Sequence, residues 1–573
     1  MRTPGNDHVP RLLAACGVAA LTLLLGPAGQ AAGSLVFSCS ADNDLFRVAS
    51  ENGMDVRRFD KPEGALEAST EGGALLVLAD AYPDHGVRLT PAFYAAAGRR
   101  RLRLYVEFPE SLPGLTVGER RTCVWERGVV ASDFFRPKLP PLRILSPQNC
   151  VFLPIDAPQP HLVLGRVAGY DTALYGLPEQ TFPLLFELRP SETNGPALVA
   201  STKLSQMVSA RFGPVPAWQS VWAAVLGWLV PGIQTELKWT PAVRPTWSRD
   251  APLPAEVERL ALERGADWFV KSRLLLHPSR SNAVAQAAAG SGIEPAPPSD
   301  APVGDGSLGI LEGYSSRIQP DGSQLQSVAI RGDCNAESAM ALAFGGRSLT
   351  RHRYSDTARR ILDFYYFESS ARKGERGDPN HGAYGLVAWG VSSPAWSVAN
   401  YGDDNARLLL GTMATAALLE EERWDAAMLQ CLLANLRTTG PLGFRGDRLD
   451  DPDLGRNGWE HYFRRRITNC APNYESYLWA CYLWAYHQTR FELFRDRART
   501  AIRTTMAAYP DRWRWTNGLQ QERARMLLCL AWLTRLENTP ETRAWLRRVA
   551  EALLARQDSS GASREAIGAL GPG

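Results

Sequence analysis

The chain has 573 residues, of which 45% are apolar and 21% charged, and its net charge is +3. That length exceeds one ordinary domain and predicts two. The composition is that of a folded globular protein, and so small a charge without a dense basic run excludes a nucleic-acid partner.

At the start, Arg2 and Arg11 precede an apolar run, Leu12 to Leu25, followed by small residues at Gly29-Gln30-Ala31-Ala32. This is the pattern of an export signal over residues 1–32. The run is short for a bilayer, so the mature chain is expected to have no membrane span and to be periplasmic or extracellular. Export permits disulfides, and Cys123 with Cys150 is a conceivable pair. Cys431, Cys481 and Cys529 lie in apolar helical runs and read as core. There is no CxxC, HExxH, P-loop or GxSxG, so no metal or cofactor is expected.

Residues 33–241 read as an α/β domain. Short apolar runs at Leu35–Cys39, Val56–Phe59, Ala74–Ala79 and Leu102–Phe108 alternate with helical spacing at Asp42–Asn52 and Leu89–Ala97. Strand, helix and strand in turn imply parallel crossovers. Further strands are predicted at His161–Val167, Leu184–Leu188 and Ala197–Thr202. Trp218 and Trp222, four apart in the helix Ala217–Val230, predict a core stripe.

From about residue 254 to 573, strand signals almost vanish and long helical periodicity takes over. Nine helices are predicted: Glu256–Leu275, Asn335–Phe344, Ser355–Phe367, Asp404–Glu421, Trp424–Leu436, Tyr474–Gln488, Phe494–Ala507, Leu519–Leu536 and Glu541–Arg556. Residues 279–306, rich in Pro, Ala, Gly and Ser, read as a flexible insert. Connections alternate between short and long, as in α-hairpins arranged in a ring with the long loops building a cleft on one rim.

Those long loops concentrate acids, amides and aromatics. Tyr401-Gly402-Asp403-Asp404-Asn405-Ala406-Arg407 is the most informative stretch. Adjacent carboxylates repel, which raises at least one pKa, and glycosidic cleavage needs one carboxyl protonated and another ionised. The alternative is N-capping, which Asp also suits. Asp403 and Asp404 are the candidate catalytic pair, with Glu475, at the start of a highly aromatic helix, as a third acid. Asp333 and Glu337 are candidate substrate ligands, and Arg407, like Arg331 and Arg523, is a candidate ligand for a carboxylated sugar. Trp389, Tyr401, Tyr474, Trp459 and Trp515 are candidate sugar platforms, because aromatic faces stack on sugar C–H faces. Glu460, Glu522, Arg331, Arg523, His381 and His461 are weaker candidates from the same loops.

The residues from 254 on resemble the six-hairpin, (α/α)6-barrel glycosidase superfamily. The Tyr-Gly-Asp-Asp-Asn run is similar to the adjacent Asp-Asp motif of its endo-α-1,6-mannanase family, in which the two aspartates serve as nucleophile and acid/base. Carried over, those roles fall on Asp403 and Asp404, while Gly402 and Arg407 depart from the mannanase pattern and leave the substrate open. Nine helices against the twelve of a full ring imply a barrel incomplete at its C-terminus. The first domain, with its ALLVLADAYP segment, resembles a class I glutamine-amidotransferase-like domain. The GxCxG nucleophile elbow is missing from Leu104-Tyr105-Val106-Glu107-Phe108, so that domain is expected to be non-catalytic. The expected function is a secreted or periplasmic glycoside hydrolase acting on a carbohydrate by two-carboxylate chemistry. A non-catalytic glycan-binding or scaffold protein and a polysaccharide lyase remain as alternatives.

Overall fold

A computed structural model describes residues 34–188, 195–208, 212–233, 235–244, 247, 251–319, 321–557, 561–563 and 565. The expected export signal at 1–32 lies outside them. The chain divides into two compact units, Met1–Arg244 and Pro245–Gly573. A large sheet dominates the first and helices dominate the second.

The first unit runs β1 (Leu35–Ser38), α1 (Asp44–Glu51), β2 (Val56–Phe59), α2 (Pro62–Ala68), β3 (Ala74–Val77), α3 (Pro91–Arg99) and β4 (Arg103–Glu107). There follow β5 (Arg121–Thr122), β6 (Arg127–Val130), β7 (Ile144–Leu145), β8 (Val151–Phe152), β9 (Leu162–Gly165), β10 (Thr181–Leu188), β11 (Ala197–Ala200) and α4 (Val215–Leu229). Nine strands form one sheet in the order β2-β1-β3-β4-β11-β10-β9-β6-β7. The first five are parallel, as helical crossovers require. The remaining pairs are antiparallel; in this half the strands β9, β10 and β11 were expected, whereas β6 and β7 were not, because they are too short to show a period. Residues 74–77 are all buried, which is why that strand reads as continuously apolar. The sheet carries a core on each face. One contains Trp218 and Trp222 of α4 with Leu45 of α1, the other Phe93 and Tyr94 of α3. At the end of β4, Glu107 accepts from Ser205 N (2.6 Å), Ser205 Oγ (2.8 Å) and Tyr105 Oη (3.0 Å). Burial pushes its carboxyl up to about 7.

The second unit contains α5 (Val257–Lys271), α6 (Ser281–Ala289), β12 (Ile293–Pro295), β13 (Gly313–Ile318), β14 (Gln324–Ser327), α7 (Gly332–Leu349) and α8 (His352–Asp363). Next come α9 (Pro394–Ser397), β15 (Ala399–Tyr401), α10 (Gly402–Leu419), α11 (Asp425–Arg437), β16 (Arg448–Asp450) and α12 (Asp451–Arg464). The last four are α13 (Pro472–Thr489), α14 (Glu492–Ala507), α15 (Leu519–Glu537) and α16 (Pro540–Leu554). Each of the nine expected helices has its counterpart. The insert at 279–306, expected to be a flexible loop, contains regular structure. Ser281–Ala289 is a helix buried through Val284, and β12 pairs with β14. Alanine-rich sequence supplied the helix propensity that a compositional reading overlooked.

Helices α7, α10, α13 and α15 pack side by side in that order, while α8, α11, α14 and α16 each pack on the helix preceding them in this series. The inner pair α7/α10 is close. A Cβ added at Gly411 would meet the Ala336 backbone at 2.7 Å, so a glycine is what lets the two helices touch. Hydrogen bonds described below join the N-terminal turns of all four inner helices. Those N-termini therefore share one end of the unit.

Candidate functional site

The site is assembled where these N-termini meet. Its entry strand is fixed first. Asn400, in β15, is fully buried. Its side chain donates to Leu449 O (3.1 Å) and Asp451 Oδ1 (2.8 Å) and accepts from Arg376 Nε (3.2 Å). Arg445 Nη1 donates to its carbonyl (3.1 Å). The chain then turns into α10, so Asp403 and Asp404 fall in the first helical turn.

Both are 7% exposed. Asp404 Oδ1 accepts from Arg331 Nη2 at 3.0 Å. The same guanidinium pairs with Asp333 (2.8 Å) and Glu312 (2.8 Å). Arg407 is gripped by Glu337 through Nε and Nη2, both at 2.7 Å, and also pairs with Asp333. Arg525 Nη1 donates to Asn473 O (2.9 Å) and lies 3.5 Å from Asp403 Oδ2. Five carboxyl groups thus share three guanidiniums. Full ionisation would leave an excess of negative charge around the buried aspartates, which protonation of the least compensated acids relieves. Burial pushes Asp404 up to about 8, with the Asp403 and Asp333 charges adding to the rise and Arg331 opposing it. Burial pushes Asp403 up as well, against the pull of Arg525 and Arg407. Asp403 Oδ1 and the Trp389 indole nitrogen are buried with no hydrogen-bond partner among the described residues.

Aromatic rings border the acids. Trp389 lies 4.4 Å from Trp396 and 5.2 Å, edge-on, from Tyr401, and Arg331 sits 5.2 Å over its ring. Tyr401 stacks on Tyr474 at 6.4 Å.

The fourth residue of each inner helix separates structural acids from the candidate catalytic ones. At that position α7 has Asn335, α10 Asn405, α13 Glu475 and α15 Glu522. Asn335 pairs with both backbone groups of Ile310 (3.0 and 3.3 Å), and Asn405 with both of Val387 (3.2 and 2.8 Å). Glu475 accepts from Arg445 N (3.1 Å), Gly446 N (2.8 Å) and Asn469 Nδ2 (3.0 Å). Glu522 accepts from Asn473 N and Thr516 N (the latter at 3.1 Å). All four side chains anchor loop backbone. Glu475, the third candidate acid, is thus engaged by loop amides. It is fully buried, its carboxyl raised to about 7 by burial, and it serves the loop above it.

Asp333, Glu337, Arg407, Trp389, Tyr401 and Tyr474 are brought around the pair. Trp459 is not. It packs edge-on against Phe463 (5.9 Å) and lies 5.6 Å from Arg437, in a separate cavity of about 390 Å³ with Phe491. Its loop is in fact helix α12, broken at Gly458 (φ 72°), and that break redirects the ring. Trp515 is half-buried in the loop before α15. Glu460 and His461 are exposed. His381 accepts from Ala383 N (3.2 Å) and belongs to its own turn. Arg523 is buried against Tyr509 (2.9 Å) and Gln520 (2.8 Å). Arg525 and Trp396 were missed. A two-residue offset rotates a helical side chain by about 200°, so Arg523 and Arg525 face opposite ways.

No protein-family model matches the chain and no curated protein matches it. Solved structures resemble it at low identity. A D-mannose isomerase is 10% identical, with a TM-score of 0.32, covering 43% of this chain and 66% of that one. A family 76 glycoside hydrolase from a bovine Bacteroides thetaiotaomicron strain is 14% identical, with a TM-score of 0.31, covering 41% and 49%. An inactive variant of the GH76A α-1,6-mannanase of Salegentibacter sp. HEL1_6, with two consecutive aspartates changed to asparagine, is in complex with α-1,6-mannotriose. It is 12% identical, with a TM-score of 0.30, covering 42% and 70%. The chain thus spans about two thirds and one half of the first two.

Proposed function

We propose that the chain is a glycoside hydrolase, exported to the periplasm or beyond, with its catalytic unit after residue 254 and a non-catalytic, amidotransferase-like unit over residues 33–241. One observation carries the proposal: two adjacent buried carboxyls, one held protonated near neutral pH and the other with an unpartnered oxygen. Asp404, raised to about 8, is the general acid that protonates the glycosidic oxygen. Asp403 presents Oδ1 as base or nucleophile on the anomeric side. Arg525 and Arg407 oppose the rise that burial imposes on it, and Asp333 with Arg331 orients Asp404. Trp389, Tyr401 and Tyr474 supply stacking faces, and the unpartnered Trp389 N–H donates to a sugar hydroxyl. The three arginines are already paired with the chain's own carboxylates, which favours a neutral saccharide over a uronate.

The test is reducing-sugar release from a panel of neutral poly- and oligosaccharides by the wild type and by Asp403→Asn and Asp404→Asn. Both substitutions are expected to lower the rate by about 10³-fold or more, as loss of a nucleophile or a general acid–base group does. Full activity in both variants sinks the proposal. A second reading, glycan binding without turnover, is favoured by the low exposure of both carboxyls, 7% each. Retention on a glycan column with no product, unchanged by either substitution, would select it.

A further inference from the structure

The first unit carries an exposed aromatic surface that the proposed chemistry does not use. It lies beside β7, the last strand in the sheet order. The turn before β6 presents Trp125, 72% exposed, and the loop after β9 presents Tyr170, 81% exposed. Both rings border one cavity of about 520 Å³, floored by Ile144 and Leu145 of β7. Exposed rings of this size cost free energy in water, and a cluster of them around a concavity marks a binding surface.

The walls are held from beneath. Glu126 Oε2 accepts from Val124 N (3.1 Å) and Trp125 N (3.2 Å), which fixes the Trp125 turn. Ile144 N donates to Asp171 O (2.8 Å), and Ala173 N donates to Leu142 O (2.9 Å), which ties the Tyr170 loop to the sheet edge. The acids lining the cavity are matched by guanidiniums within the chain, whereas the Arg127 guanidinium meets only a carbonyl. Glu126 pairs with Arg166 (3.1 Å), Asp171 pairs with Arg143 (2.9 Å), and Arg127 donates to Gly169 O. A cationic ligand therefore finds no spare counter-charge here. A neutral, polyhydroxylated one finds ring faces for its C–H groups and paired carboxylates and guanidiniums with lone pairs and N–H groups left over.

We infer that this cavity is a carbohydrate-binding site for neutral glycans, separate from the Asp403/Asp404 site and independent of whether that site is catalytic. Its function is to hold polymer, with no chemistry of its own.

Affinity electrophoresis tests it with the full chain carrying Asp403→Asn and Asp404→Asn, so that nothing is cleaved. The gels contain α-mannan, a β-1,3-glucan or dextran, with polygalacturonate as the acidic polymer. Retardation by at least one neutral polymer is expected. Trp125→Ala should weaken it about tenfold, the loss typical of removing a central aromatic anchor. Trp125→Ala with Tyr170→Ala should abolish it, with the melting temperature unchanged because both rings are exposed. Three results overturn the inference: no neutral polymer retards the chain; only polygalacturonate does; or retardation survives the double aromatic substitution and is lost on Trp389→Ala.

Discussion

Replacing Asp404 by Asn should stabilise the protein while abolishing its activity. Burial and two neighbouring acids raise this carboxyl from 3.8 to about 8. At pH 7 the unfolded chain holds it ionised, whereas the folded chain holds it protonated, so folding takes up a proton. Each unit between the unfolded pKa and the working pH costs about 1.4 kcal/mol, which gives a handicap of roughly 4 kcal/mol at pH 7 against a permanently neutral side chain. The sign is that of a raised acid. Its contribution to stability is full below 3.8 and is lost as pH rises through about 8. Asn is nearly isosteric and neutral. It forfeits part of the Arg331 contact, so roughly 4 kcal/mol is the ceiling of the gain. Urea unfolding of wild type and Asp404→Asn at pH 7 and at pH 4.5 measures it. The variant should lead at pH 7, and most of that lead should vanish at pH 4.5. If it is equally or less stable at pH 7, Arg331 keeps Asp404 ionised, and the general-acid assignment fails with it.

Three further outcomes follow from the same geometry. The ratio kcat/KM should fall above about pH 8 as Asp404 loses its proton; a profile flat from about pH 6 to 9.5 contradicts that protonation state. Glu475→Ala strips an acceptor from two backbone amides and the Asn469 side chain, and should lower stability by about 3 kcal/mol, seen as a fall in Tm. An unchanged Tm with activity lost would return Glu475 to the chemistry. Gly411→Ala drives a methyl to 2.7 Å from the Ala336 backbone, and should cost about 2 kcal/mol by overpacking; thermal melting at or above the wild-type temperature would mean that α7 and α10 are not in contact.

The helices were legible because a 3.6-residue apolar period over a dozen or more residues has few competing explanations. Short pieces were not: β6 and β7, with four residues and two, give too little sequence for a period. Asp403 and Asp404 were legible because the whole signal sits in one heptapeptide. The loop contacts of Glu475 were not legible, because an acid at a helix start reads the same whether it faces a cleft or a loop's amides. Trp459 was misplaced by a single left-handed glycine. Arg525 was invisible because its contacts, with Asp403 and Asn473, are 122 and 52 residues away.

The division of labour among the inner helices explains why an unfavourable charge cluster can persist. Four helix N-termini bring partial positive charge to one end of the unit, so acids gather there at lower cost than elsewhere. At the fourth position the acids and amides are spent on loop backbone, with Asn335 and Asn405 bonding both N–H and C=O and Glu475 and Glu522 bonding N–H groups. The side chains near the helix mouth are left to face one another. Asp333, Asp403 and Asp404 crowd there because the segments that carry Arg331 and Trp389 are pinned independently, the first by Asn335 on the Arg331 carbonyl (2.7 Å) and the second by Asn405 on Val387. Electrostatic strain at the pair is thus held by hydrogen bonds that do not include it. That separation is what lets either aspartate be neutralised without unravelling the site, and it makes the Asp404→Asn stability measurement a test of protonation rather than of folding.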